Sequence, residues 1–179
     1  YCKPKICEPG SKTCSSDNKS LEVCNENGTA WKHDSNCSDF DPESSCKAGV
    51  CLTPCDYAAK IRSYEGCEFW AADLDNGDSD AQAAQYAIVV SNTHTSRNAT
   101  VKIYNSSGVL KTEVVPPLDL KAFPLSPSNV IGSVKEKKAY RVVSDLPVSA
   151  YQFNPFTNEL VYSNDASLLL PTHALGKKY

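Results

Sequence analysis

The chain contains no methionine, not even at position 1, where tyrosine stands. A chain without an initiator reads as a processed or excised piece of a longer precursor. No apolar run reaches the roughly eighteen residues that a membrane-spanning helix needs; "SLLLP", 167–171, is far too short. Basic charge is not in excess either. The 18 lysines and arginines stand against 21 aspartates and glutamates, for a net charge of −3 and a pI near 5.6. That balance argues against a basic face and so against nucleic acid as a partner. The eight glycines are scattered singly, which leaves no phosphate-cradling loop. There is no Gly-x-Ser-x-Gly nucleophile elbow, and no strong helical period anywhere.

Cysteine is absent from the last 112 residues and crowded into the rest. The nine are Cys2, Cys7, Cys14, Cys24, Cys37, Cys46, Cys51, Cys55 and Cys67. Eight lie within the first 55 residues, where large apolar side chains are few: Ile6, Leu21, Val23, Trp31, Phe40, Val50 and Leu52. So small a segment buries too little apolar surface to offset its chain entropy, and crosslinks must help. Each contributes about 2–4 kcal/mol. Disulfides call for an oxidising compartment: outside the cell, in a periplasm or in a secretory lumen, and a secreted or outer-surface protein is the expectation. Zinc is the rival account, but structural zinc favours Cys-x2-Cys pairs, and the chain has none. Nine is odd, so one thiol pairs outside this chain, pairs with a missing segment, or stays free.

Three segments follow from texture. Residues 1–55 are a disulfide-rich module, in which "SLEVCNENGTAWKHD" reads as a hairpin turning at Asn25–Gly28. Residues 56–84 are a linker and the disulfide-anchored start of a sheet domain, with "DYAAKIRS" good for one or two helical turns capped by Asp56. Residues 85–179 carry short strands every eight to twelve residues, the mark of an antiparallel β-sandwich or barrel. "ATVKIYNSSGVLKTEVV" is a hairpin and "PPLDLKAFPLSP" a proline-bracketed edge strand. "AYRVVSDLPVSAYQFN" is expected to give two strands around "SDLP", and "DASLLLP" one more. The closing "LGKKY" reads as the opening of a further strand, which would make the sheet domain truncated at its C-terminus.

The stretch "GCEFWAADLDNGDSD", 66–80, holds most of the candidate chemistry. Asp73, Asp75, Asp78 and Asp80 are oxygen ligands at short spacing, which calcium accepts in irregular loops; a solvated turn is the plainer reading. A secreted hydrolase using Asp73, Asp75 or His173 is a further reading. The three histidines, His33, His94 and His173, are far apart in sequence and read as surface or turn residues. "KEKKAYR", 135–141, reads as a solvated basic loop, with a polyanionic surface polysaccharide as the alternative ligand. Asn-x-Ser/Thr triplets begin at Asn18, Asn27, Asn36, Asn98 and Asn105. They are glycan acceptors in a eukaryotic secreted protein, or simply Asn- and Ser-rich loops in a bacterial one.

Four stretches, "SYEGCEFWAADLDN", "YAIVVSN", "YRVVSDLPVSAYQFNP" and "SNDASLLLPTHALGKKY", in this order, resemble the N-terminal domain of IgG-Fc-binding proteins. Bacterial, notably myxobacterial, secreted and outer-surface proteins carry such a domain after a cysteine-rich preface. The resemblance implies a β-rich binding or adhesion module rather than an enzyme, and a domain running past Tyr179. Its partner would be a protein or glycan on a cell surface; the main alternative is an assembly subunit of an appendage or envelope complex, completed by a partner strand or by the rest of its own parent chain. Cys67 is expected to fasten the start of the sheet domain, with Cys55 its favoured partner and Phe69 and Trp70 packed over the link.

Overall fold

The structure, a computed structural model, describes residues 3–157, 161 and 164–176. It is mostly β, and the chain divides into two units, residues 1–57 and 58–179. Cys2 and the Lys177–Tyr179 end of the proposed last strand lie outside the described residues.

The first unit is a small antiparallel sheet, β1 (Lys12–Cys14), β2 (Ser20–Cys24) and β3 (Trp31–Asn36), plus a hairpin of β4 (Ser45–Lys47) and β5 (Val50–Leu52). The β2–β3 hairpin turns through Asn25–Ala30 and sets Cys24 directly across from Trp31. Gly28 is required there. Its φ is +70°, and a Cβ would stand 2.7 Å from the Cys7 carbonyl oxygen. Disulfides join Cys7 to Cys24, Cys14 to Cys46 and Cys37 to Cys51. Cys55 and Cys67 are disulfide-bonded as well. The buried cluster of this unit is Leu21 with Cys37 and Cys46, and Cys14 and Cys51 pack against it. Sulfur bridges therefore occupy the place where a larger domain would put aliphatic side chains.

The helix α1 (Pro54–Lys60) starts earlier than expected, and its cap is not Asp56. Thr53 precedes it, and the Thr53 hydroxyl oxygen accepts from the Asp56 backbone N–H at 3.2 Å. The Asp56 carboxylate reaches back to accept from the Thr53 N–H at 3.0 Å. This is a reciprocal capping box, with the threonine as cap and the aspartate three residues on.

The second unit is built on β6 (Gly66–Ala71), a short helix α2 (Ser79–Ala83), and the strands β7 (Tyr86–Asn92), β8 (Ala99–Asn105), β9 (Gly108–Val115), β10 (Asp119–Leu125), β11 (Tyr140–Phe153) and β12 (Ala166–Leu169). All the ladders are antiparallel, and the sheet runs β10–β7–β11–β8–β9 with β6 and β12 also on β11. "SDLP" does not divide β11 into two strands, as the sequence suggested. One 14-residue strand runs through it, and its two halves have different partners. The first half pairs with β6 and β8, the second with β7 and β12. Between Val143 and Val148 the register with β6 shifts. Pro147 falls in that bulge, where its missing N–H costs no ladder bond. Asp145, in the same bulge, accepts from the Thr100 N–H at 2.7 Å. A strand shared in this way curls the sheet into a nearly closed, barrel-like layer.

The interior follows from period two. Along β11, Tyr140, Val142, Ser144, Leu146, Val148 and Ala150 are buried while the residues between them are half-buried or exposed. They meet Phe69, Tyr86, Ile88, Val90, Val101, Ile103, Val115 and Phe123 in one apolar core. Each large side chain removed from water contributes about 1.5–3 kcal/mol.

Candidate functional site

The acidic stretch does not form a ligand set. Asp73 is buried, and its Oδ2 accepts from the Ser128 N–H at 2.7 Å while its carbonyl accepts from the Val130 N–H. Burial holds its carboxyl above the usual carboxylate range, partly countered by the Ser128 bond. Asp75 accepts from Gln82 Nε2 at 2.8 Å. Asp78 caps α2, accepting from the Asp80 and Ala81 N–H groups. The Asp80 carboxylate sits exposed in the first turn of α2, where the helix end favours negative charge. Asp73, Asp75 and Asp78 each have a separate structural task. Among the described residues no three His, Cys, Asp or Glu side chains converge as a metal site.

His173, one of the residues named for a hydrolase, lies apart from Asp73. His173 packs at the start of β6, where its Nε2 is 2.9 Å from the Ser63 carbonyl and its ring adjoins Gly66. Asp73 lies past the other end of that strand. His94 serves a turn, its Nδ1 accepting from the Arg97 N–H at 3.0 Å. His33 is exposed on β3.

Phe69 and Trp70 part company, and with them the expectation that both cover the Cys67 link. Successive residues of a strand point to opposite faces, so Phe69 is wholly buried in the core and Trp70 is 48% exposed on the outside. What Trp70 meets there was not read from the sequence. Arg141 on β11 lies directly across from Trp70 on β6 and from Tyr104 on β8. Residues opposed in a ladder share a face. Trp70, Arg141 and Tyr104 therefore form a row across three strands on the outer side of the sheet. The Arg141 guanidinium sits 5.7 Å from the centre of the Tyr104 ring, within cation–π range. Its Nε donates to Glu68 Oε1 at 2.7 Å, a bond that holds the arginine still more firmly protonated. Glu68 points outward from the same strand as Trp70, two residues away.

This row borders a cleft of about 430 Å³, within the usual ligand-pocket range. Asn105 and Ser106 of the β8–β9 turn and Glu136, Lys137 and Ala139 of the segment before β11 complete its walls. The basic stretch "KEKKAYR" thus helps to line a cleft beside two aromatic rings. Glu136 is neutralised by Lys138 at 2.7 Å, and Lys137 is exposed. The signal for this site was present in the alternation of "GCEFWA". Once Phe69 and Ala71 face the core, Glu68 and Trp70 must face out. Of the glycosylation triplets, Asn18, Asn27, Asn36 and Asn98 are exposed, and Asn105 stands in the cleft wall.

No family model and no curated protein matches the chain. One solved structure, that of Thermotoga maritima 1070, is similar at 14% identity and a TM-score of 0.37, covering 60% of this chain and 95% of that one.

Proposed function

We propose that the protein is a secreted or cell-surface binding module, without catalytic activity, that holds carbohydrate on the outer face of its β-unit. The observation that carries this reading is the Trp70–Arg141–Tyr104 row beside its cleft. Sugar rings present flat C–H faces that stack on exposed aromatic rings, and their hydroxyls need a few fixed polar partners. Glu68, Arg141, Asn105 and Ser106 supply donors and acceptors at that place. The disulfide-stapled first unit supports an oxidising, extracellular setting. A glycan array probed with the intact chain and with Trp70→Ala is the test. Retention that disappears in the variant supports the proposal; no retention, or retention indifferent to Trp70, refutes it.

A second reading is favoured by the seam of the sheet. β9 and β10 are the two ends of the strand order, each paired on one side only. Lys121 of β10 is ion-paired with Glu113 of β9 at one level of that seam. At another, a cleft of about 520 Å³ lies among Leu110, Lys111, Pro124, Leu125 and Tyr140. An assembly subunit would accept a partner strand along such an edge. Pro124 counts against it, since proline on an edge strand discourages pairing. A stoichiometric partner co-purifying with the intact chain, and lost when Leu110 is changed to lysine, would favour assembly; a monomer that purifies alone would not.

A further inference from the structure

We infer that the sugar held by the Trp70–Arg141–Tyr104 face carries a carboxylate. This inference rests on the carbohydrate-binding reading given above. Its own ground is charge. The chain as a whole is acidic, at −3, yet residues 135–141 contain Lys135, Lys137, Lys138 and Arg141 against the single Glu136. Lys137 and Arg141 are the cations among the cleft-lining residues, Arg141 being ion-paired with Glu68, and Glu136 is the one lining carboxylate, paired with Lys138. Outward Lys102 of β8 stands in the neighbouring row, opposite Val143.

Arg141 is the residue that reads the anion. Its Nε–H is engaged by Glu68 Oε1, so the side chain is held in one orientation. Its terminal amino groups are the donors we assign to the ligand. Two parallel N–H groups on a planar guanidinium match the two oxygens of a carboxylate. Tyr104 lies against the guanidinium and Trp70 stands on its other side, one strand away each. The strands that carry the two rings are two spacings apart, about 9.6 Å, a span on the scale of neighbouring rings of one oligosaccharide. The anion is then fixed between two stacking surfaces, with Lys137 at the rim adding attraction that salt will screen.

Tri-galacturonate and its methyl ester share one sugar backbone and differ in the charge and the added methyl of each carboxyl, and titrating each into the intact chain by calorimetry tests the inference. The acid is expected to bind at least tenfold more tightly than the ester. Lys137→Ala, a change on an exposed residue, should narrow that ratio, and Arg141→Gln should bring it close to one, while Trp70→Ala removes both ligands. Equal affinity for acid and ester overturns the carboxylate inference but leaves the face as a sugar site. Absence of any Trp70-dependent binding, of these ligands or on the glycan array, overturns both.

Discussion

The Arg141 guanidinium lies 5.7 Å from the centre of the Tyr104 ring, and the two residues are paired across β8 and β11. A basic stretch that looked like a solvated loop therefore ends in an ordered arginine on a sheet face. The neighbouring pair Phe69–Trp70 shows the other side of the same geometry. One ring goes in and one goes out.

That division gives the first prediction. Phe69→Ala removes a wholly buried ring from the core and is expected to cost about 3–5 kcal/mol. Trp70→Ala, on the exposed face, is expected to change stability by less than about 1 kcal/mol while abolishing sugar retention. Denaturant melts of both variants beside a binding assay check the split.

Gly66 gives the second. A Cβ there would stand 2.4 Å from Pro171 Cβ and 2.9 Å from His173 Cε1. Gly66→Ala should therefore push the turn after β12 off β6 and cost about 1–3 kcal/mol. Gly77→Ala, where nothing lies within 4 Å, is the control and should melt like the parent.

Asp73 gives the third, through pH. Its folded-state carboxyl is raised above the ordinary value of 3.8, chiefly by burial. The folded state therefore holds its proton to higher pH than the unfolded chain does. The penalty is absent below the unfolded value, grows as pH rises toward the folded one, and is complete above it. Asp73→Asn keeps an oxygen for the Ser128 N–H and removes the charge. Relative to the parent, it should gain stability between pH 4 and pH 7. Equilibrium unfolding of both proteins across that range checks the sign, because the exposed carboxylates Asp17 and Glu113, whose values are lowered, are common to both.

The crosslinks give the fourth. Peptide mapping without reduction is expected to return Cys7–Cys24, Cys14–Cys46 and Cys37–Cys51, and to join Cys55 to Cys67 as the sequence suggested. With a buried cluster of little more than Leu21 and sulfur, the first unit should lose its hydrogen-exchange protection in reductant. Residues of the β-unit such as Val90 and Ile103, both wholly buried, should keep theirs.

Fold class was legible because alternation and cysteine density are local signals. The hairpins at Asn25–Gly28 and Ser106–Ser107 announced themselves by turn residues. The continuity of β11 was not legible, since "SDLP" carries turn chemistry and only the exchange of partners on either side of the bulge reveals why it stays extended. The binding face was hidden for a related reason. Trp70, Arg141 and Tyr104 are separated by dozens of residues, and register alone brings them into line. The aspartates misled in the opposite direction: close in sequence, they are drawn apart by capping, turn and burial duties at Asp78, Asp75 and Asp73.

The most direct measurement of the binding claim is an NMR titration of the isotope-labelled intact chain with tri-galacturonate. The account predicts that the Trp70 indole resonance and the amides of Tyr104, Asn105, Ala139 and Arg141 move together and saturate. A titration that leaves these signals still, or that moves instead those of the disulfide unit around Lys12, Cys46 and Tyr57, would contradict it.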